Sequence, residues 1–187
     1  EIERHAVLAA RLDERHPITV DAEPLNDGRT RVTIVGYDYL GVLSMICGLM
    51  FASGFSIIDG YVYTYEPAPG AAKQRKIIDV FTVHPVVADD ERALGRAGVD
   101  PAFSWRAYEG ELLRLIRRLQ ENQARLAQGE LAKRVAASLR SREATAITLP
   151  PVEIEIDNAT SNRYTVLQIS APDTAGFLYE FTNALAL

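Results

Sequence analysis

The chain is predicted to be an α+β protein on the split βαβ, ferredoxin-like plan (βαββαβ), carried once in full and begun a second time. The first observation is segment order: from Arg29 the pattern reads strand, helix, strand, strand, helix, the order of a split βαβ sandwich. The second is a repeat. The segments "TRVTIVGYDYLGVLSMICGLM" (30–50) and "YTVLQISAPDTAGFLYEFTNALAL" (164–187) each run a strand into Asp-x-x-Gly and then an apolar helix. Asp38, Gly41 and Leu43 recur as Asp173, Gly176 and Leu178 at a single offset of 135 residues, the mark of an internal repeat.

Each element follows from local pattern. Residues 1–16 place Ile2, Ala6, Ala9 and Leu12 at helical spacing among charges, so an N-terminal amphipathic helix is expected, ended by Pro17. "ITVDAE" (18–23) reads as a strand, and Asn26-Asp27-Gly28 as a hairpin turn into "RTRVTIV" (29–35). Leu43 to Ala52 is apolar on most sides, as a helix buried against a sheet would be, and Gly54 stops it. "FSIIDGYVYTYE" (55–66) and "RKIIDVFTVHP" (75–85) are β-branched and aromatic strands joined by the Pro/Gly loop "PAPGAAKQ".

Val86 to Ala102 is polar and rich in turn residues, so a surface loop is expected. From Ser104 a helix carries Trp105, Tyr108, Leu112, Leu115, Ile116 and Leu119 on one face. Gly129 is expected to interrupt it, and a second helix then spaces Leu131, Val135 and Leu139 by four. Residues 141–151 read as a linker, "VEIEID" and "RYTVLQIS" as a second hairpin, and the last segment as the opening of a second helix. The first sheet needs a fourth strand, for which "ITVDAE" and "VEIEID" are both candidates. Because both repeats open the same way, each is expected to supply its own. The division predicted is 1–16, an N-terminal helix; 17–127, the first repeat with an extended second helix; 128–150, helix and linker; and 151–187, the start of the second repeat.

With 187 residues, 48% hydrophobic and 24% charged, the composition is that of a soluble globular protein. A net charge of −5 supplies no attraction to nucleic acid or to anionic membrane, and neither is expected as a partner. The lone cysteine, Cys47, cannot form an internal disulfide, which fits a reducing, cytoplasmic setting. No apolar run is long enough for a transmembrane helix. The chain does not begin with Met, and "FTNALAL" stops within an apolar helical pattern; a longer polypeptide with a truncated second repeat is therefore expected. The apolar face of Phe177, Leu178, Phe181 and Leu185 would then lack cover, and the chain is expected to form a homo-oligomer.

The Asp-x-x-Gly turn admits two readings. A helix N-terminus offers unpaired N–H groups and partial positive charge to a carboxylate, and a glycine there lets a ligand approach closely. The aspartate could receive an ammonium group, so one turn could grip both ends of an amino acid. Equally, the Asp could be an ordinary helix cap with Gly serving a tight turn. The candidate ligand-binding residues are Asp38, Tyr39, Leu40, Gly41 and Val42 in the first turn, and Asp173, Thr174, Ala175, Gly176 and Phe177 in the second.

Elsewhere the polar residues favour plain structural roles. His5, His16 and His84 are scattered without metal-site spacing. Asp89 and Asp90 belong to a polar loop, and Arg114, Arg117 and Arg118 read as a solvated helix face neighboured by Glu111 and Glu121. Asp59 and Asp79 fall in strands, where hydrogen bonding to loops is the simplest role. No phosphate loop, zinc signature, nucleophile elbow or dinucleotide fingerprint occurs. No catalytic residue, cofactor or metal is expected.

On the residues "VTIVGYDYLGVLSMICGLMFASGFSIIDGYVYTYE…KIIDVFTV", the chain resembles an ACT domain, the regulatory module of amino-acid metabolism. "NRYTVLQISAPDTAGFLYEFTNALA" looks like the opening of a second. The strand pair "GYVYTYE…KIIDVFTV" and the lead-in "VEIEIDN" are similar to the tandem ACT repeats of nitrogen-control nucleotidyltransferases, the PII uridylyltransferases. The resemblance covers Ile18 to about Val83 and Val152 to Leu187. It implies a non-catalytic region that senses an amino acid, glutamine first, and controls an attached uridylyl- or adenylyltransferase acting on PII protein or glutamine synthetase. The usual motif, Asp-Arg-Pro-Gly-Leu-Leu, is altered in both turns, which lack Arg and Pro; loss of the Arg removes one anion partner. Two alternatives stand beside this one: the regulatory end of a large glutamate dehydrogenase, and a dimerisation module without ligand.

Overall fold

A computed structural model describes residues 2–67, 74–86, 103–141, 152–172, 174 and 176–186. The loops expected around 67–74 and 86–102, the linker expected at 141–151, and Asp89, Asp90, Asp173 and Ala175 fall wholly or largely outside the described residues.

Eleven elements are described: α1 Ile2–Ala9, β1 Ile18–Pro24, β2 Thr30–Tyr37, α2 Val42–Ala52, β3 Phe55–Tyr65, β4 Lys76–Pro85, α3 Trp105–Gln120, α4 Ala124–Ser141, β5 Glu153–Asp157, β6 Val166–Ser170 and α5 Phe177–Leu185. The first helix is shorter than expected. After Ala9 the Asp13 carboxylate accepts from the main-chain N–H groups of Arg15 and His16, a local turn that competes with helix.

Strands β1 to β4 form one antiparallel sheet in the order β1-β2-β4-β3. The edge place beside β2 is taken by β1, the upstream candidate. The two are joined at Gly28, whose φ of +78° glycine adopts without steric cost. Strand period decides the faces: Ile77, Asp79, Phe81 and Val83 of β4 are buried on one side, with Val32 paired to Phe81 and Ile34 to Asp79. Gly60 of β3 lies opposite Phe81, where a Cβ would come within 2.5 Å of the ring.

That face carries α2 and α3, and α4 packs on the outer side of α2. Helix α2 is consequently buried from Val42 to Phe51 with Leu43 only partly covered, as its unbroken apolar run requires. Ser104 caps α3 by accepting from the Ala107 N–H at 3.1 Å, and the Tyr108 hydroxyl donates to the Ile46 carbonyl at 3.0 Å. On the opposite face α1 lies against the sheet through buried Leu8, held by Arg4 to Asp21 and Glu23, each at 2.7 Å.

The break between α3 and α4 falls at Asn122, with φ +58°, and not at Gly129, which lies inside α4 with open space around it. An exposed helical glycine costs too little to end a helix anchored by buried Ala127, Leu131 and Val135. The arginine cluster also differs from expectation: Arg114 and Arg118 both reach Glu130 on α4, at 2.5 and 3.0 Å, and Arg134 reaches Glu111 at 2.6 Å. These pairs join two helices; they are not neighbours along one.

In the second repeat β5 and β6 pair antiparallel, with Ile154, Ile156, Val166 and Leu167 exposed. Helix α5 is not bare, contrary to expectation. It packs on α2 through buried Tyr179 and Thr182, with Leu178 against the core; Leu185 remains exposed. Gly48 of α2 admits this contact: a Cβ there would lie 2.5 Å from the Tyr179 ring and 2.8 Å from Leu131.

Candidate functional site

The first turn is shaped by hydrogen bonds that glycine alone accommodates. The Val42 N–H donates to the Tyr39 carbonyl at 2.9 Å, placing Gly41 third in the turn with φ +85°, and Met45 N–H then starts the helix on the Gly41 carbonyl at 3.1 Å. The second turn repeats this: Phe177 N–H donates to Thr174 carbonyl at 3.0 Å, Gly176 has φ +81°, and Glu180 N–H donates to Gly176 carbonyl at 3.0 Å. Side chains other than glycine are strained in this region of backbone space. The glycine is thus a requirement of the turn itself, whatever binds there.

The two turns also face each other's repeat. A Cβ on Gly41 would meet Ala186, and one on Gly176 would meet the Phe51 ring, each at 3.6 Å. The offset of 135 residues that relates the glycines also relates Phe51 to Ala186. Helices α2 and α5 therefore run antiparallel about a pseudo-two-fold axis, each start against the other's end.

One cavity follows from each half of this arrangement, and both measure about 290 Å³. Asp38 to Ser44, Arg75, Thr182, Leu185 and Ala186 line the first. The second joins Thr174 and Gly176 to Tyr179 with Cys47, Phe51, Phe55, Ser56, Ile57, His84 and Val86. Cys47 and Phe51 stand where the first cavity has Thr182 and Ala186, so the second is the more aromatic.

Of the first-turn candidates, Asp38, Tyr39, Leu40, Gly41 and Val42 all line one cavity. Asp38 does not cap α2: the helix starts at Gly41 without a side-chain cap. Its carboxylate instead pairs with the Arg75 guanidinium at 2.9 Å, and its N–H donates to the Arg75 carbonyl at 2.9 Å. Tyr39 turns inward and its hydroxyl accepts from Gln120 Nε2 at 2.9 Å. Leu40 is exposed, at the cavity rim, while Val42 is buried. Thr174, Gly176 and Phe177 share the second cavity.

Arg75 was not among the residues singled out by pattern. Its signal lay in strand pairing: an antiparallel partner of β2 must start where β2 ends, and Tyr37 does pair with Lys76. The residue just before β4 then lies beside Asp38. Asp79 also differs from expectation. It is fully buried on the helix-facing side, and among the described residues neither carboxylate oxygen makes a hydrogen bond of good geometry. Burial pushes its pKa up to about 7; the nearby main chain of Tyr63 opposes the shift, and the charge of Asp38 adds slightly to it. Burial likewise raises the Cys47 thiol well above its ordinary value, so this thiol is inert. Among the described residues no group of three or more His, Cys, Asp or Glu side chains could hold a metal ion, and no helix is long and apolar enough to cross a membrane.

Fold and site together define an α+β module with two turn cavities, each lined in part by the opposite repeat. Over 98% of its length the chain is 31% identical to the bifunctional uridylyltransferase/uridylyl-removing enzyme of Gluconobacter oxydans, covering 17% of that protein. The enzymes of the same name from Azospirillum brasilense and Rhodopseudomonas palustris are each 28% identical, over 96% and 84% of this chain and 17% and 14% of their own lengths. The chain is therefore similar to one region of these enzymes and spans about one-sixth of their length. No protein-family model matches it.

Proposed function

We propose that this chain is the amino-acid-sensing, ACT-type regulatory region of a cytoplasmic nucleotidyltransferase of nitrogen metabolism, with glutamine as ligand and PII protein or glutamine synthetase as the target of the parent enzyme. The similarity to uridylyltransferase/uridylyl-removing enzymes over nearly the whole chain supports such a parent and weighs against a glutamate dehydrogenase. The observation that carries the sensing role is the first-turn cavity, lined by an acid and a base, with one wall from each repeat.

Regulation follows from that construction. A ligand touching residues of both repeats stabilises the arrangement of α2 against α5 in which both walls are present. It shifts the equilibrium of the parent enzyme by its difference in affinity between that arrangement and any other. Chemistry belongs to other parts of the polypeptide; this region biases it.

Titration calorimetry of the intact polypeptide with L-glutamine tests the reading. Saturable binding, reduced by Asp38→Asn, is expected. Absence of heat with L-glutamine up to millimolar concentration rejects the sensing role and leaves a dimerisation module.

A further inference from the structure

We propose that Arg75 is the residue that reads the α-carboxylate, and that an amino acid enters the first cavity by exchanging the Asp38–Arg75 ion pair for two new ones. The inference rests on the sensing role above and deepens it. Both partners line the cavity. The Asp38 side chain is 19% exposed and that of Arg75 54%, so the acid is held by the fold while the base reaches into solvent.

The guanidinium has five donors, and its contact with Asp38 runs from Nη2 to Oδ2 at 2.9 Å. Glu66 stands 4.0 Å from Nη1, a second and looser neighbour. An ion pair open to water is weakly held, so it opens readily for a competitor that carries both charges. A free α-amino acid does so: its ammonium replaces the guanidinium on Asp38, and its carboxylate replaces Asp38 on Arg75. No charge is left unpaired in the exchange. A ligand with only one of the two groups replaces half of the pair and leaves Asp38 without its cation, or Arg75 to water and Glu66, which disfavours amines and simple carboxylic acids.

This assigns to Arg75, just before β4, the anion-binding task for which the turn itself has no arginine. Tyr39 and Leu40 occupy the positions between Asp38 and Gly41, and the base arrives from the neighbouring strand instead. The specificity is for the α-amino acid zwitterion, with the side chain directed toward Thr182 and Leu185 of the other repeat.

The test compares L-glutamine with L-glutamine α-amide on the intact polypeptide by calorimetry. On the unmodified protein the α-amide, which lacks the carboxylate, is expected to bind at least tenfold more weakly. In Arg75→Gln, binding of L-glutamine at one site should weaken at least tenfold, while the α-amide changes less than twofold; Arg75→Lys should recover part of the loss. Equal affinity of the two compounds for the unmodified protein overturns the proposal without any variant. So does an equal weakening of both in Arg75→Gln, which would mark a structural role. No binding of L-glutamine to the unmodified protein overturns the sensing role with it, whereas binding indifferent to Arg75 overturns this inference alone.

Discussion

Asp79 is held in conflict with its surroundings: among the described residues, the buried side-chain oxygens without a hydrogen-bond partner are both its own. Its carboxyl is raised from an ordinary 3.8 to about 7 by burial, and the direction fixes the sign of its effect. Below pH 4 the group is neutral folded or unfolded. As pH rises from about 4 to 7 the unfolded chain ionises first, so stability declines through that window and levels off above it. At about 1.4 kcal/mol per pH unit the ceiling is roughly 4 kcal/mol. Asp79→Asn, which cannot ionise, should match the unmodified protein near pH 4 and exceed it by about 1–3 kcal/mol at pH 8. Urea midpoints across that range check this, and parallel curves for the two proteins would show that Asp79 is solvated.

At the scale of elements, α2 and α4 each contain an interior glycine, with opposite surroundings. Gly129 faces open space, and alanine there should gain roughly 0.5–1 kcal/mol through helix propensity alone. Gly48 is the point where Tyr179 of α5 and Leu131 of α4 come closest to α2, and an added Cβ would clash with both. Overpacking of this kind costs about 1–3 kcal/mol, more than the propensity gain. Gly129→Ala should therefore raise the melting temperature and Gly48→Ala lower it. A rise for both would mean that neither α5 nor α4 packs closely on Gly48 in solution.

At the scale of the whole molecule, exposed apolar side chains among the described residues gather on β3, where Tyr61, Val62, Tyr63 and Tyr65 line a strand at the sheet edge, and on the β5–β6 hairpin. An open sheet edge with apolar side chains recruits another strand. We expect the protein to self-associate, with sedimentation velocity giving at least a dimer in the micromolar range and Ile156→Lys or Tyr63→Lys shifting it toward monomer. A single monomeric boundary throughout that range contradicts this.

Much of this design was legible in the residues. Apolar period and turn chemistry act over a few neighbours, so β1 to β4, buried α2, the Ser104 start of α3 and both Asp-x-x-Gly turns follow from local pattern. The offset of 135 residues marks the repeat in the sequence itself. What tertiary structure alone decided depends on residues far apart in the chain. The register of β4 on β2 brought Arg75 to Asp38 and turned an expected cap into an ion pair. Antiparallel packing of α2 on α5 set each turn against the opposite repeat and made the two cavities. The helix break moved to Asn122 because buried Ala127, Leu131 and Val135 hold Gly129 in helix, and Asp79 is cut off from water because its face of the sheet is the one buried in the core. A local pattern specifies which way a side chain points; only the assembled chain determines what it meets there.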